Sequence, residues 1–170
     1  MGTFMSTSSK NIFSVHDFIT DFEDIYQIFG KKSEKDYHGN ECEYFLYHSI
    51  VENKKAASFS IPVDNILKSG LRRLIEIPEI EEIYKILKKP LNNTDIFDFK
   101  TIKETLYLND PIKTAYVLKQ LCANKVVTAE KFSKNYQEIL NEIVFHLSNE
   151  IAFVTKKTPE SVEKKIRSLL

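Results

Sequence analysis

The sequence predicts an α+β, α-dominant fold, with six to seven helices packed around one β-hairpin. Two observations carry this. From residue 64 onward, apolar side chains recur every three or four residues, the period of an amphipathic helix. Between residues 43 and 63 lies one pair of aromatic and β-branched runs, the mark of paired strands.

Residues 1–11 are polar and Ser/Thr-rich and read as a flexible tail; residues 12–170 read as one globular domain. Ser14 and Asp17 form a capping-box-like pair. Behind them Val15, Phe18, Ile19, Phe22, Ile25, Tyr26 and Phe29 have helical spacing, with Gly30 as the stop. The outer face of that helix, Asp17, Asp21, Glu23 and Asp24, is acidic. The polar segment 31–40 reads as a loop. Glu43–Val51 and Ala56–Val63 form the hairpin, with Glu52–Lys55 as its turn. A lone hairpin is marginal in water, so it must pack on helices or find a third strand.

Asp64 caps a helix through Ile75. Pro78 precedes a helix over Glu79–Lys88, and Pro90 opens a turn. The Thr101–Glu104 pair precedes a short helix, and Asp110-Pro111 opens the next. Thr128 starts the longest element, whose apolar stripe runs from Phe132 to Val154. Thr158-Pro159 caps the last helix, with Val162, Ile166 and Leu169 inward.

Composition narrows the function. At 170 residues with 12 Phe and 8 Tyr, the chain has ample material for an aromatic core. The 24 basic residues balance 24 acidic ones, so no global field steers the chain to nucleic acid or an anionic membrane. The last sixteen residues are locally basic: Lys156, Lys157, Lys164, Lys165 and Arg167 against Glu160 and Glu163. The two cysteines, Cys42 and Cys122, and the polar start predict a reduced, cytoplasmic protein. No apolar run approaches the ~20 residues a membrane span requires.

Chemistry-bearing motifs are missing. His16, His38, His48 and His146 have no metal-ligand spacing. With four glycines, none adjacent to another, the chain carries no phosphate-cradling loop and no nucleophile elbow. The reading is therefore non-enzymatic, with no catalytic residue, cofactor or metal. Glu79, Glu81 and Glu82 complement the dipole of their own helix rather than hold an ion. His146 reads as a half-buried structural side chain.

Two surfaces remain. The acidic residues Asp17, Asp21 and Asp24, with Tyr47 and Phe59 of the hairpin, form a protein-binding surface. It would serve an adaptor, inhibitor, immunity or chaperone-like module, and its partner would be another protein or a second copy paired at the hairpin edge. The alternative is DNA, through Lys156, Lys157, Thr158, Ser161, Lys164, Lys165 and Arg167. There a short helix, a polar break and a proline-started helix make a helix-turn-helix pattern.

Ile151, Ala152, Thr158, Pro159, Val162, Glu163, Ile166 and Arg167 fall without a gap on the pattern of a known family. Over residues 149–170 this segment resembles the DNA-binding effector domain of the bacterial sporulation response regulator. The resemblance implies that the helix starting at Thr158-Pro159 is a recognition helix. The chain departs from the family at Ser161, where the family has a basic residue, and at Lys165, Ser168 and Leu169, where it has small ones.

Overall fold

The computed structural model describes residues 13–51, 57–90, 99–127 and 134–170. The predicted N-terminal tail, the hairpin turn at 52–55, the turn after Pro90 and the Thr128 start lie outside them. In the described residues the predicted single hairpin is replaced by a five-stranded antiparallel sheet. Its strands are β1 (Phe18–Thr20), β2 (Ile25–Lys35), β3 (Glu41–Ser49), β4 (Ser58–Pro62) and β5 (Arg72–Arg73), in the order β4-β3-β2-β1-β5. The pairing of β3 with β4, Tyr47 opposite Phe59 and Phe45 opposite Ile61, is one ladder of four.

The predicted first helix is β1, a turn and the start of β2. Ser14 and Asp17 do bond each other. Ser14 N–H donates to Asp17 Oδ2 at 2.9 Å, and Asp17 N–H donates to the Ser14 carbonyl at 3.1 Å. With His16 at φ 79°, this closes a turn that feeds a strand. A local cap of this kind fixes where the backbone bends and leaves the next element open. The residues beyond the bend are rich in Ile, Thr, Phe and Tyr, which suit a half-buried pleated surface. Ile19, Tyr26 and Ile28 share one face of the sheet and are buried there.

The acidic "outer face" is a tight turn. Asp21 Oδ1 accepts from the N–H groups of Glu23 and Asp24 at 3.1 and 3.0 Å. Thr20 Oγ1 accepts from Phe22 N–H at 3.2 Å and donates to the Asp24 carbonyl at 2.9 Å. Gly30 stops nothing; it sits at a register shift between β2 and β3, where β-bulges re-aim a strand. The predicted loop 31–40 continues β2 to Lys35. It then turns around Asp36, whose Oδ1 accepts from His38 and Asn40 N–H, with Gly39 at φ 84°.

The predicted helix from Asp64 is also corrected. Val63–Lys68 is one 3-10 segment, Gly70 at φ 82° ends it, and β5 pairs with β1. Its apolar residues divide between two cores. Ile66 and Leu71 join Phe13, Ile19, Ile28 and Phe45 in the sheet core, and Ile75 enters the helical core. A continuous helix would have kept them on one side.

The helices are α1 (Ile77–Lys88), α2 (Phe99–Tyr107), α3 (Pro111–Val127), α4 (Lys134–Thr155) and α5 (Pro159–Leu169). α1 begins earlier than predicted, because Glu76 and Glu79 form a capping box with Pro78 in its first turn. The Thr101–Glu104 pair falls inside α2. α3 opens as predicted, with Asp110 Oδ1 accepting from Ile112 and Lys113 N–H at 3.0 Å each. Ile83, Leu118, Leu121, Ile143, Ile151 and Ile166 are sealed in the core these helices share.

Candidate functional site

Aromatic packing organises the β4 side of the sheet. Tyr47 and Phe59 stack with centroids 5.5 Å apart and planes 28° from parallel. Tyr26 meets them edge-on at 5.4 and 6.0 Å. Its hydroxyl donates to Asp21 Oδ2 at 2.8 Å, so the turn is tied to the cluster. Three of the sequence-predicted residues, Asp21, Tyr47 and Phe59, thus meet through a fourth, Tyr26. Phe59 is 45% exposed. It stands on an edge strand whose outer side has no strand partner among the described residues.

The electrostatics derive from the packing. Burial raises the Tyr26 pKa, and the Asp21 carboxylate raises it further by accepting its proton bond and opposing the phenolate. Burial and then Asp21 raise that of Tyr47, and burial alone that of Tyr84. A raised tyrosine favours the folded state in its neutral form. That contribution is whole below the unfolded value of about 10 and is lost as pH rises past it. Lys119, pulled low by burial, acts in the opposite direction, one group against three. The expected result is an alkaline absorbance titration in which some tyrosines ionise late, with unfolding free energy falling above pH about 10. Tyr26→Phe removes the latest phase. A single phase at the ordinary value would refute the arrangement.

Of the other predicted acidic residues, Asp24 adds its charge to that of Asp21 on Tyr26, and Asp17 lies apart. Asp17 Oδ2 accepts from Ser14 N–H and pairs with Arg73 Nη2 at 3.2 Å. Asp24 lines a cleft of 390 Å³ between the β1–β2 turn and α4. Its walls include Phe22, Ile50, Val51 and Phe153, with His146 and Lys157 across from the turn. Phe22 has φ 82°, which is rare for a bulky residue and stores strain. Its ring rests 4.9 Å from His146, which is half-buried as predicted. His48, the strand histidine, stacks on Phe29 at 5.0 Å.

At the C-terminus, a helix, a break and a second helix are present. The first helix is the end of α4, which has 22 residues. Lys156, at φ 55°, ends it, and Lys157 N–H donates back to the Ala152 carbonyl. Thr158 caps α5 by accepting from Ser161 N–H at 3.3 Å. Val162 and Ile166 face the core. Two of the predicted basic contacts are engaged within the protein: Lys165 Nζ lies 3.9 Å from the Tyr84 centroid, and Arg167 Nε donates to Glu163 Oε1 at 2.7 Å. Lys156, Lys157, Ser161 and Lys164 are exposed.

Between the two cores lies a polar network absent from the sequence-predicted sites. Arg72 forms a two-pronged pair with Glu150 at 2.6 and 2.8 Å. Its Nε donates to the Asn109 carbonyl at 2.6 Å. Glu150 Oε1 also accepts from Ile75 N–H at 2.8 Å. Asn109 Nδ2 donates to the carbonyls of Thr20 and Gly70 at 3.0 and 2.9 Å. Asn109 and Glu150 are 3% and 5% exposed. One signal was available: Glu150 sits on the apolar stripe of α4, where a carboxylate requires a partner.

These features define a class, an α+β protein in which a curled antiparallel sheet is pinned to a helical layer by a buried ion pair. Among the described residues no group of three His, Cys, Asp or Glu side chains could hold a metal ion. No helix there is long and apolar enough to cross a membrane. No family model matches the sequence, and no curated protein matches it.

Proposed function

We propose that this chain is a non-enzymatic protein-binding module that receives a partner's strand along the outer edge of β4. The observation that supports the reading is Phe59: half-exposed, held rigid by Tyr26 and Tyr47, and placed on an edge without a strand partner among the described residues. Natural edges are usually blunted by charge, proline or a bulge. Residues 58–61 read Ser-Phe-Ser-Ile, with the only proline at the strand's end. Backbone bonds would supply affinity, and the aromatic cluster would select an apolar side chain on the incoming strand. A second copy is the alternative donor. A reducing, cytoplasmic setting goes with this reading, since neither Cys42 nor Cys122 is in a disulfide.

A photo-crosslinker at Ser60 tests it. One discrete adduct is expected, to another protein or to a second copy, with hydrogen-exchange protection over residues 58–62 in the complex. Phe59→Lys abolishes the adduct and leaves the thermal unfolding of the isolated chain nearly unchanged. An adduct that survives Phe59→Lys, or no adduct, overturns the proposal.

DNA binding is the second reading. It draws on the exposed Lys156, Lys157 and Lys164 beside the capped start of α5. It calls for a duplex shift that weakens steeply with salt and is lost when those three lysines become alanine. No shift at low salt sinks it.

A further inference from the structure

A second cavity, of 250 Å³, lies where α1 ends beside α3 and the end of α5. Lys88 and Lys89 at the end of α1, and Lys119 of α3, line it together with Leu87, Cys122 and Leu169. Among the described residues that line it there is no acidic side chain. Lys119 is only 9% exposed. Its Nζ donates to the carbonyls of Ile86 and Leu87 at 2.8 and 2.7 Å.

Those two bonds alone would make Lys119 a cation closing the end of α1, where the helix dipole favours positive charge. They leave two features unexplained. An ammonium has three donors, and the bonds formed among the described residues use two of them. Lys89 is also held close enough that its charge, after burial, pulls the Lys119 pKa down. Three like charges around one cavity repel each other. Among the described residues none of the three forms an ion pair with a carboxylate. A bound anion would take the third donor and remove the repulsion.

We propose that this cavity binds a phosphate-class oxyanion, held by Lys119 and Lys89 with Lys88 beside them. Lys119 donates from the buried wall and Lys89 from the exposed end of α1. The anion is inorganic phosphate or the head of a small phosphate monoester. The site is independent of the β4 edge.

Titration calorimetry and thermal unfolding on the full chain test this, with sodium phosphate, glycerol phosphate and sodium chloride at matched ionic strength. Both phosphates are expected to bind and raise the unfolding temperature above that in chloride. Tighter binding of glycerol phosphate assigns the site to a monoester, and tighter binding of inorganic phosphate to the free ion. Lys89→Gln, at an exposed position, weakens binding about tenfold, as expected for one charge-assisted contact. Lys119→Gln abolishes it; should that variant fail to fold, Lys89→Gln carries the test alone. Phosphate no better than chloride, or binding unchanged in Lys89→Gln, overturns the proposal.

Discussion

Glu150→Ala is expected to lower the unfolding free energy by about 3–5 kcal/mol, the usual cost of leaving one partner of a buried ion pair uncompensated. Arg72 Nη2 and the N–H of Ile75 lose their acceptor at once, and Arg72 Nη1 keeps only the Arg73 carbonyl at 2.9 Å. Arg72 stays in place, since its Nε remains bound to Asn109. Urea denaturation reads the loss as a lower midpoint. The pair is not itself an argument for high stability, because burying two charges costs about as much as their attraction returns. The double variant Arg72→Met with Glu150→Leu should therefore recover much of the loss. If Glu150→Ala costs less than about 1 kcal/mol, the range of a surface pair, then the two cores are not joined here.

Ile166→Ala is expected to cost about 2–5 kcal/mol, the range for truncating a sealed core side chain. Ile166 has no exposed surface and packs in the same cluster as Ile83, Ile143 and Ile151. Lys164→Ala, two residues away and exposed, should stay within about 0.5 kcal/mol of the parent. The contrast bears on the DNA reading. A helix anchored this firmly presents only its outer side, and there Arg167 is already bonded to Glu163 and lies 3.4 Å from Asn141 Oδ1. If Ile166→Ala leaves the unfolding midpoint unchanged, α5 is not docked as described.

The helical half was legible because its signals are local. The proline and caps at Asp110 and Thr158, and the long stripe of α4, act within a few residues of themselves, and each stands where the sequence puts it. The sheet half was not. Val15, Phe18, Ile19, Phe22, Ile25 and Tyr26 fit a helical period and the wrong structure, because β-rich residues lie on both faces of β1 and β2. Phe18 packs on Phe153 of α4, while Ile19 enters the sheet core. A strand covered on both faces loses its alternation.

The candidate surfaces divide the same way. Phe59 and Tyr47 could be placed on a hairpin from sequence, since cross-strand neighbours depend on register. Asp21, Asp24 and Asp17 were grouped as one acidic helix face. The turn separates them, sending Asp21 to Tyr26, Asp24 to the cleft and Asp17 to Arg73. Lys119 carries no local mark at all, since its partners are carbonyls 32 and 33 residues away.

By itself, then, the sequence determined the caps at Asp110 and Thr158, the helix-forming stripes from Glu79 onward, the pairing of β3 with β4 and the balance of charge. Each depends on bonds or spacing within a few residues, or on composition. Only the tertiary structure decided that the first aromatic segment is strand, that β1 and β5 complete a sheet, and that Arg72, Asn109 and Glu150 meet. Those outcomes depend on what covers each face and which distant group satisfies each buried charge. Residues 37 and 78 positions apart in the chain supply the bonds, and no local period encodes such a separation.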